Sequence, residues 1–590
     1  MSRALPVWLA LEPDPVLALV DAPPQEVARA TAVLICPPFG WEEMCSYRPR
    51  RVWAVELARS GFPTARINFP ATGDSGGYPD GPDRLEGWIA SVEAAAAWLR
   101  ERFAAERVAA IGIGLGGLVA CRAASAGAPI DDLVLWSVPA RGRMLVRELR
   151  AHAGVIDAEH LRDREVDGAA PEGALEAVGF VLSAETVTAL EGLDLTKLEL
   201  PRAAARRILL LGRDRLGPDK RLQAHLEQAG ADVSVEGGGD YTELTAHPQA
   251  AAVPWQTINA TVQWLKPGAS PPGAGGARDK AGLERDSIEL RCGEARVRET
   301  PLWLDLGDQP GFAILTEPVD AERATIGALL LSAGALREIG PNRAWVEMAR
   351  RWAARGVATV RVDLAGIGES DGEAEHYQEV AGLYEPRLTG QVLNVIDDLA
   401  VRELGERFVL AGLCSGSYWA LHAALADPRV AGLALINLFA FYWSEALVAE
   451  RRTHDALSAL RGEGWRKLAR RDTNLDQVRR VLASLNPQRI RARRAHPVES
   501  AQSAQIDADL DRLRDQQTEL LLLLSEAEPL YGQFERQHRI GKVDRWPNLT
   551  IERYGSRDHM FRALWLQRHI GERVDSVLER VLAKQPTLRP

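Results

Sequence analysis

The sequence predicts an α/β protein built twice in tandem, each copy a mostly parallel sheet flanked by helices and carrying a helical cap insertion. Three observations predict it. Short β-branched or Leu-rich runs alternate with Ala-, Arg- and Leu-rich helical stretches, the signature of βαβ units. The second half repeats the first. A Pro/Gly/Ala-rich stretch from Lys266 to about Lys280, with almost nothing to bury, divides the two as a linker would.

The repeat holds through strand-like and helix-like segments alike. Pro6-Val7-Trp8-Leu9 matches Pro301-Leu302-Trp303-Leu304, and Gly73-Asp74-Ser75 matches Gly368-Glu369-Ser370, both at an offset of 295; residues 107–124 lie over 407–424 at an offset of 300. In the first half, Ala32–Cys36, Thr64–Asn68, Val108–Ile111, Leu133–Trp136 and Ile208–Leu211 read as strands, with a helix over Pro82–Arg102. Long helical, charged sequence at 140–200 and 440–515 breaks that rhythm, as an insertion over the carboxyl edge of the sheet would, and ligands bind at that edge. The expected boundaries are residues 1–266, a linker at 267–283, and 284–590 with its cap at about 440–515.

The chain of 590 residues is 46% hydrophobic and 26% charged, which excludes disordered, collagen-like and disulfide-scaffold classes. A net charge of −10 gives no pull toward nucleic acid or anionic membranes, so neither is an expected partner. The N-terminal residues form no signal-peptide core, no apolar run is long enough to span a membrane, and five scattered cysteines suit a reducing compartment. A cytoplasmic protein is expected. No metal-ligand cluster or Walker-type sequence is present, and no cofactor is implied.

Chemistry concentrates at 407–420. A strand, Arg407–Ala411, runs into Gly412-Leu413-Cys414-Ser415-Gly416 and then a helix, the pattern of a nucleophile elbow with cysteine at its centre. Glycines two before and two after remove Cβ atoms that would collide with strand and helix. The helix N-terminus lowers the thiol pKa and offers a backbone N–H to an oxyanion. Ser415 and Ser417 lack the central position and read as helix-start hydroxyls. Such elbows are followed along the chain by an acid and then a histidine. Glu519–Leu524 is a buried-strand candidate ending in Ser525-Glu526-Ala527-Glu528, and Leu549–Arg553 leads to Asp558-His559 before a final helix over Phe561–Leu582. Cys414, Glu528 and His559 thus stand in the required order. Glu526 is the competing acid, since only loop geometry decides which carboxylate reaches the histidine.

With these residues in view the sequence resembles the α/β-hydrolase superfamily, over nearly all of both halves. The second half, through residues 332–356, Asp363–Ser370 and Gly412–Ala420, resembles a bacterial subgroup with a cysteine nucleophile, similar in that respect to dienelactone hydrolases. The first half, through Pro37–Met44, resembles hydrolases found near exosortase and exopolysaccharide loci. The superfamily commonly has Ser and Asp where this chain has Cys and Glu, so the likeness fixes no substrate class. It implies that Cys414 attacks an acyl carbonyl, His559 moves the proton and Glu528 orients the imidazole. It implies an oxyanion hole from the N–H of Ser415 and one from the loop Gly334-Ala335, with Ala335 preferred.

The first half has lost these groups. Gly114 stands in the place of Cys414, and the matching loops put Arg215 in the place of Glu528 and Tyr241 in the place of His559. Asp214 and His247 lie nearby, with nothing to activate. Gly112-Ile113-Gly114-Leu115-Gly116-Gly117 also fits a dinucleotide-binding pattern, but Asp131 and Asp132 precede the next strand instead of ending it, so it reads as an elbow without its nucleophile. The first half is then left to pack against its partner as an intramolecular pseudo-dimer, shape a cleft, or dock something.

The expected activity is cysteine-dependent acyl hydrolysis of a small-molecule ester, thioester or amide, free or carried on coenzyme A or a carrier protein. An acyltransferase or cyclase using the same acyl-cysteine is the rival reading, because amines attack thioesters readily. Lys and Arg between Arg466 and Arg494 form either a solvated face or a lid for a phosphate-bearing partner. Trp419, Phe439, Phe441, Tyr442 and Trp443 suggest an acyl pocket, or core. A non-catalytic binding or scaffold protein with Cys414 a relic is the reading of another class. The joint retention of Cys, acid and His in one half, and their joint loss in the other, favours the enzyme.

Overall fold

The computed structural model describes residues 3–160, 171–201, 206–444 and 497–584. It contains two nine-stranded sheets of the same order. The first runs Glu284–Arg285, Leu5–Leu9, Val16–Asp21, Thr64–Ile67, Thr31–Cys36, Arg107–Ile113, Asp132–Trp136, Arg207–Leu211 and Asp232–Glu236. The second runs Ile288–Cys292, Ala295–Asp305, Pro310–Pro318, Thr359–Val362, Ile326–Leu331, Arg407–Leu413, Val430–Ile436, Glu519–Ser525 and Leu549–Tyr554. In each, the first four strands pair antiparallel and the rest parallel. The central parallel strands are buried because helices cover both faces, Glu519–Ser525 at every residue, while the edge strand Asp232–Glu236 is polar and open.

The repeat continues into the contact between the halves. Trp8, Leu17 and Leu19 of the first sheet and Phe312 and Ile314 of the second form one apolar cluster with Tyr47. Around it lie reciprocal ion pairs. Arg66 reaches across to Glu369, 2.9 Å from Nη2 to Oε2, and Arg361 reaches back to Asp74. Arg337 adds a second contact to Asp74 at 2.8 Å. The same matched triplets fold alike: Ser75 Oγ accepts from Leu17 N–H and donates to the Asn68 carbonyl, as Ser370 Oγ does with Phe312 and Asp363.

Three expectations change. The stretch 140–200 is not helical throughout: after a helix over Gly142–His160, Leu175–Ala177 and Phe180–Leu182 form a two-stranded hairpin. The Pro/Gly/Ala stretch is not a loose spacer. Ser270 Oγ accepts from Ala30 N–H, Gly273 and Gly275 donate to the Ala28 carbonyl, and Ala281 is buried, so it runs along the first half on backbone bonds that composition does not reveal. Glu284 and Arg285, assigned above to the second half, pair with Leu9 and Trp8 as the edge strand of the first sheet. Of the expected cap at 440–515, residues 445–496, with the basic run Arg466–Arg494, lie outside the described residues; Pro497–Asp515 is a helix. Among the described residues no helix is long and apolar enough to cross a membrane.

Candidate active site

The strand Arg407–Leu413 ends in the middle of the second sheet, and the helix Ser415–Ala426 starts one residue later. Cys414 alone makes the turn, with φ 55° and ψ −113°. A non-glycine residue there carries about 1–3 kcal/mol of strain, which the flanking strand and helix must over-determine. Gly416 is required because a Cβ on it would lie 2.5 Å from the Leu331 carbonyl oxygen of the neighbouring strand.

Two loops at the same edge deliver the other groups. Glu528 follows Glu519–Ser525, and His559 follows Leu549–Tyr554. His559 Nδ1 lies 2.6 Å from Glu528 Oε1, which leaves its other ring nitrogen for the Cys414 thiol, whose pKa it lowers. Glu528 is buried and His559 half-buried. Glu526 is exposed; its N–H bonds the Ser556 carbonyl. The two loops are joined by Asn437. Its Nδ2 donates to the His559 carbonyl at 2.6 Å and its Oδ1 accepts from Ser525 N–H at 2.8 Å.

Burial alone pushes the Cys414 thiol up, yet the His559 charge and hydrogen bond, helped by the Tyr384 hydroxyl 3.9 Å from Sγ, bring it below its ordinary value. Burial alone pushes His559 down, and the Glu528 carboxylate and Cys414 raise it instead. The arrangement favours a thiolate beside an imidazolium.

Ser415 Oγ accepts from Gly334 N–H at 2.8 Å and Ser417 Oγ donates to the Gly412 carbonyl, so both hydroxyls are engaged in bracing the elbow. Ala335 lines a small cavity shared with Met44 and Gln249 of the first half. Tyr384, stacked on Trp443 with ring centroids 4.0 Å apart, and Tyr418, edge-on to Tyr384, wall the thiol. Phe439 packs against Trp443, whereas Trp419 and Phe441 are core and Tyr442 bonds Asp509. Sequence reasoning missed Asn437 and Tyr384. Asn437 had one signal, its place directly after the strand beside the elbow; Tyr384 had none.

The first half keeps the elbow and fills it differently. Gly114 turns with φ 50° and ψ −115°. Tyr241 does occupy the place of His559: the carbonyls three residues before each, Gly238 and Ser556, accept from Asp214 and Glu526 N–H. Its hydroxyl bonds Glu42, whose carboxyl burial pushes up, and the Arg213 guanidinium lies 4.7 Å over its ring. The assignment of Arg215 is corrected. Leu216 N–H bonds the Arg213 carbonyl as Glu528 N–H bonds that of Ser525, so the counterpart of Glu528 is Leu216. Asp214 holds Thr242, and His247 packs edge-on against Trp41.

No curated protein matches the chain. Among solved structures it is similar to Est1E from Butyrivibrio proteoclasticus bound to ferulic acid, with 15% identity, 44% of this chain and 98% of that one covered, and a TM-score of 0.31. It is also similar to a dienelactone hydrolase from Anabaena variabilis, with 12% identity, 48% and 98% covered, and a TM-score of 0.31. Residues 328–569 match the model of the Alpha/beta hydrolase family, and the sheet order they share with the first half gives this chain the α/β-hydrolase fold twice.

Proposed function

We propose that the second half is a cysteine-dependent acyl hydrolase, and that the first, the half with the exosortase-locus resemblance, is a non-catalytic member of the same fold. One observation carries the reading: the elbow thiol of Cys414 is held below its ordinary pKa by His559, whose Nδ1 lies 2.6 Å from the Glu528 carboxylate. The thiolate adds to an acyl carbonyl, and the carbonyl π pair moves to oxygen, facing the Ser415 N–H at the helix start. Collapse re-forms the C=O and breaks the bond to the leaving alcohol or thiol, which takes the proton from His559. Water then loses a proton to His559 as it attacks the thioester, and Cys414 leaves as thiolate while the acid is released. Glu528 holds Nδ1–H throughout and balances the imidazolium.

The wall of Tyr384, Tyr418 and Trp443 suits an apolar acyl group. We read the substrate as a small-molecule ester or thioester, free or carried on coenzyme A or a carrier protein. With p-nitrophenyl butyrate as probe, intact-mass measurement should find a butyryl adduct that Cys414→Ala lacks. Equal labelling of both proteins sinks the catalytic reading and leaves a scaffold. Adding an amine and finding butyramide instead of butyrate would make the enzyme a transferase.

A further inference from the structure

The hairpin Leu175–Leu182 of the first half reaches into the second half at the start of its final helix, five residues after His559. The final helix, Leu564–Ala583, has Ala563 at its N-cap, with no side-chain cap of its own. Its first N–H, that of Leu564, is taken by Glu176 Oε1 of the hairpin at 3.0 Å. A carboxylate there satisfies an otherwise open donor and sits at the positive end of the helix dipole. One turn on, Gln567 Nε2 donates to the Gly179 carbonyl at 2.9 Å.

The hairpin turn itself is Val178-Gly179, both residues left-handed at φ 54° and 92°. Gly179 approaches Asn342 so closely that a Cβ would lie 2.3 Å from Asn342 Oδ1. Asn342 Nδ2 in turn donates to the Met560 carbonyl, one residue past His559, at 3.3 Å. Behind this stretch lies a cavity of about 350 Å³ between the halves, walled by Phe180, Val181, Asn342, Trp345, Phe561 and Leu564. Asn437 and Asp558 brace the histidine loop from its own half, through the His559 carbonyl and the Met560 and Arg562 N–H groups, and the polar contacts of the hairpin brace it from the other half across this cavity.

We propose that this hairpin is a positioning element for His559, so that the half without catalytic groups sets the geometry of the Cys414–His559 pair. The proposal rests on the reading of Cys414 and His559 given above. Glu176 and Gly179 touch no substrate; they act through Leu564, Gln567 and Asn342 on the loop between them.

The test is the pH profile of Cys414 alkylation by iodoacetamide in the full chain, followed by mass spectrometry of the peptide containing it. Wild type should react with a midpoint well below the ordinary thiol value of about 8.5. Glu176→Ala should move that midpoint up by about one unit, a roughly tenfold slower reaction at pH values below both midpoints. Glu176→Gln, which keeps an acceptor for Leu564, should restore most of it. Gly179→Ala and Gln567→Ala should shift it in the same sense, and Gln567→Ala is the variant to read should Glu176→Ala not fold. Folded variants with the wild-type midpoint overturn the positioning role alone. A wild-type midpoint near 8.5 overturns the catalytic pair and this inference with it.

Discussion

Gly114 and Cys414 share one backbone conformation, φ 50°, ψ −115° and φ 55°, ψ −113°. The elbow therefore survives without its nucleophile, because the strand and helix that force it are still packed. Restoring the thiol should not restore chemistry. A Cβ on Gly114 would sit 3.2 Å from Glu42 Oε2 and 3.7 Å from the Tyr241 hydroxyl, where the second half has its imidazole. Gly114→Cys in a Cys414→Ala background is expected to form no butyryl adduct and to cost about 1–3 kcal/mol in urea unfolding, from the left-handed strain. An adduct on residue 114 would show that the first half is nearer to activity than its geometry implies.

Under the proposed mechanism the acid is Glu528. It is buried against His559, while the Glu526 side chain faces solvent. Glu528→Gln should lower kcat for p-nitrophenyl butyrate by about 10³–10⁴, since the amide no longer fixes the tautomer or balances the imidazolium. Glu526→Gln should stay within about twofold of wild type, the usual size of a surface change. The reverse pattern in steady-state kinetics would reassign the acid.

What was legible in the chain follows from this contrast. The repeat, the elbow and the order of Cys414, Glu528 and His559 depend on strand registers, which leave a period in the sequence. The choice of Glu528 over Glu526, and of Leu216 over Arg215 as its counterpart, depends on a four-residue turn whose hydrogen bonds leave no pattern. The hairpin Leu175–Leu182 was hidden for another reason: strands of three residues are too short to show alternation between charged helical stretches. Gly73-Asp74-Ser75 and Gly368-Glu369-Ser370 were visible as a repeat, but their reciprocal grip on Arg361 and Arg66 needed the two halves to be seen together.

The pH response of the site has a definite sign. His559 is raised to about 10, against its burial, by Glu528 and Cys414, and the thiol is lowered from its ordinary value by His559 despite burial. A lowered thiol pKa keeps the thiolate present to more acidic pH, and a raised histidine keeps the imidazolium until about pH 10. Alkylation of Cys414 should thus be level above the thiol's midpoint and fall about tenfold per unit below it. His559→Ala removes the opposing charge and should move the midpoint up to or above the ordinary thiol range. A midpoint unchanged by His559→Ala would mean that the imidazole does not hold the thiolate.

The ion pairs between the halves give the last expectation. Arg66, Glu369, Asp74 and Arg361 are all buried, and a buried charge stripped of its partner is costly, about 3–5 kcal/mol. Arg66→Met leaves Glu369 with Arg51 3.6 Å away and Asp21 without its guanidinium. It should therefore destabilise by about that amount, and Arg66→Met combined with Glu369→Leu by clearly less. Burial alone would raise Glu369, yet Arg66 and Arg51 lower it from 4.5 to about 2. A carboxylate depressed in the folded chain stabilises above its unfolded value, so this contribution is whole above about pH 4.5 and is lost as pH falls through about 2. Urea midpoints measured across that window should drop more steeply for wild type than for the double variant. Equal slopes would mean that the apolar cluster around Trp8 and Phe312, rather than the charges, holds the halves together.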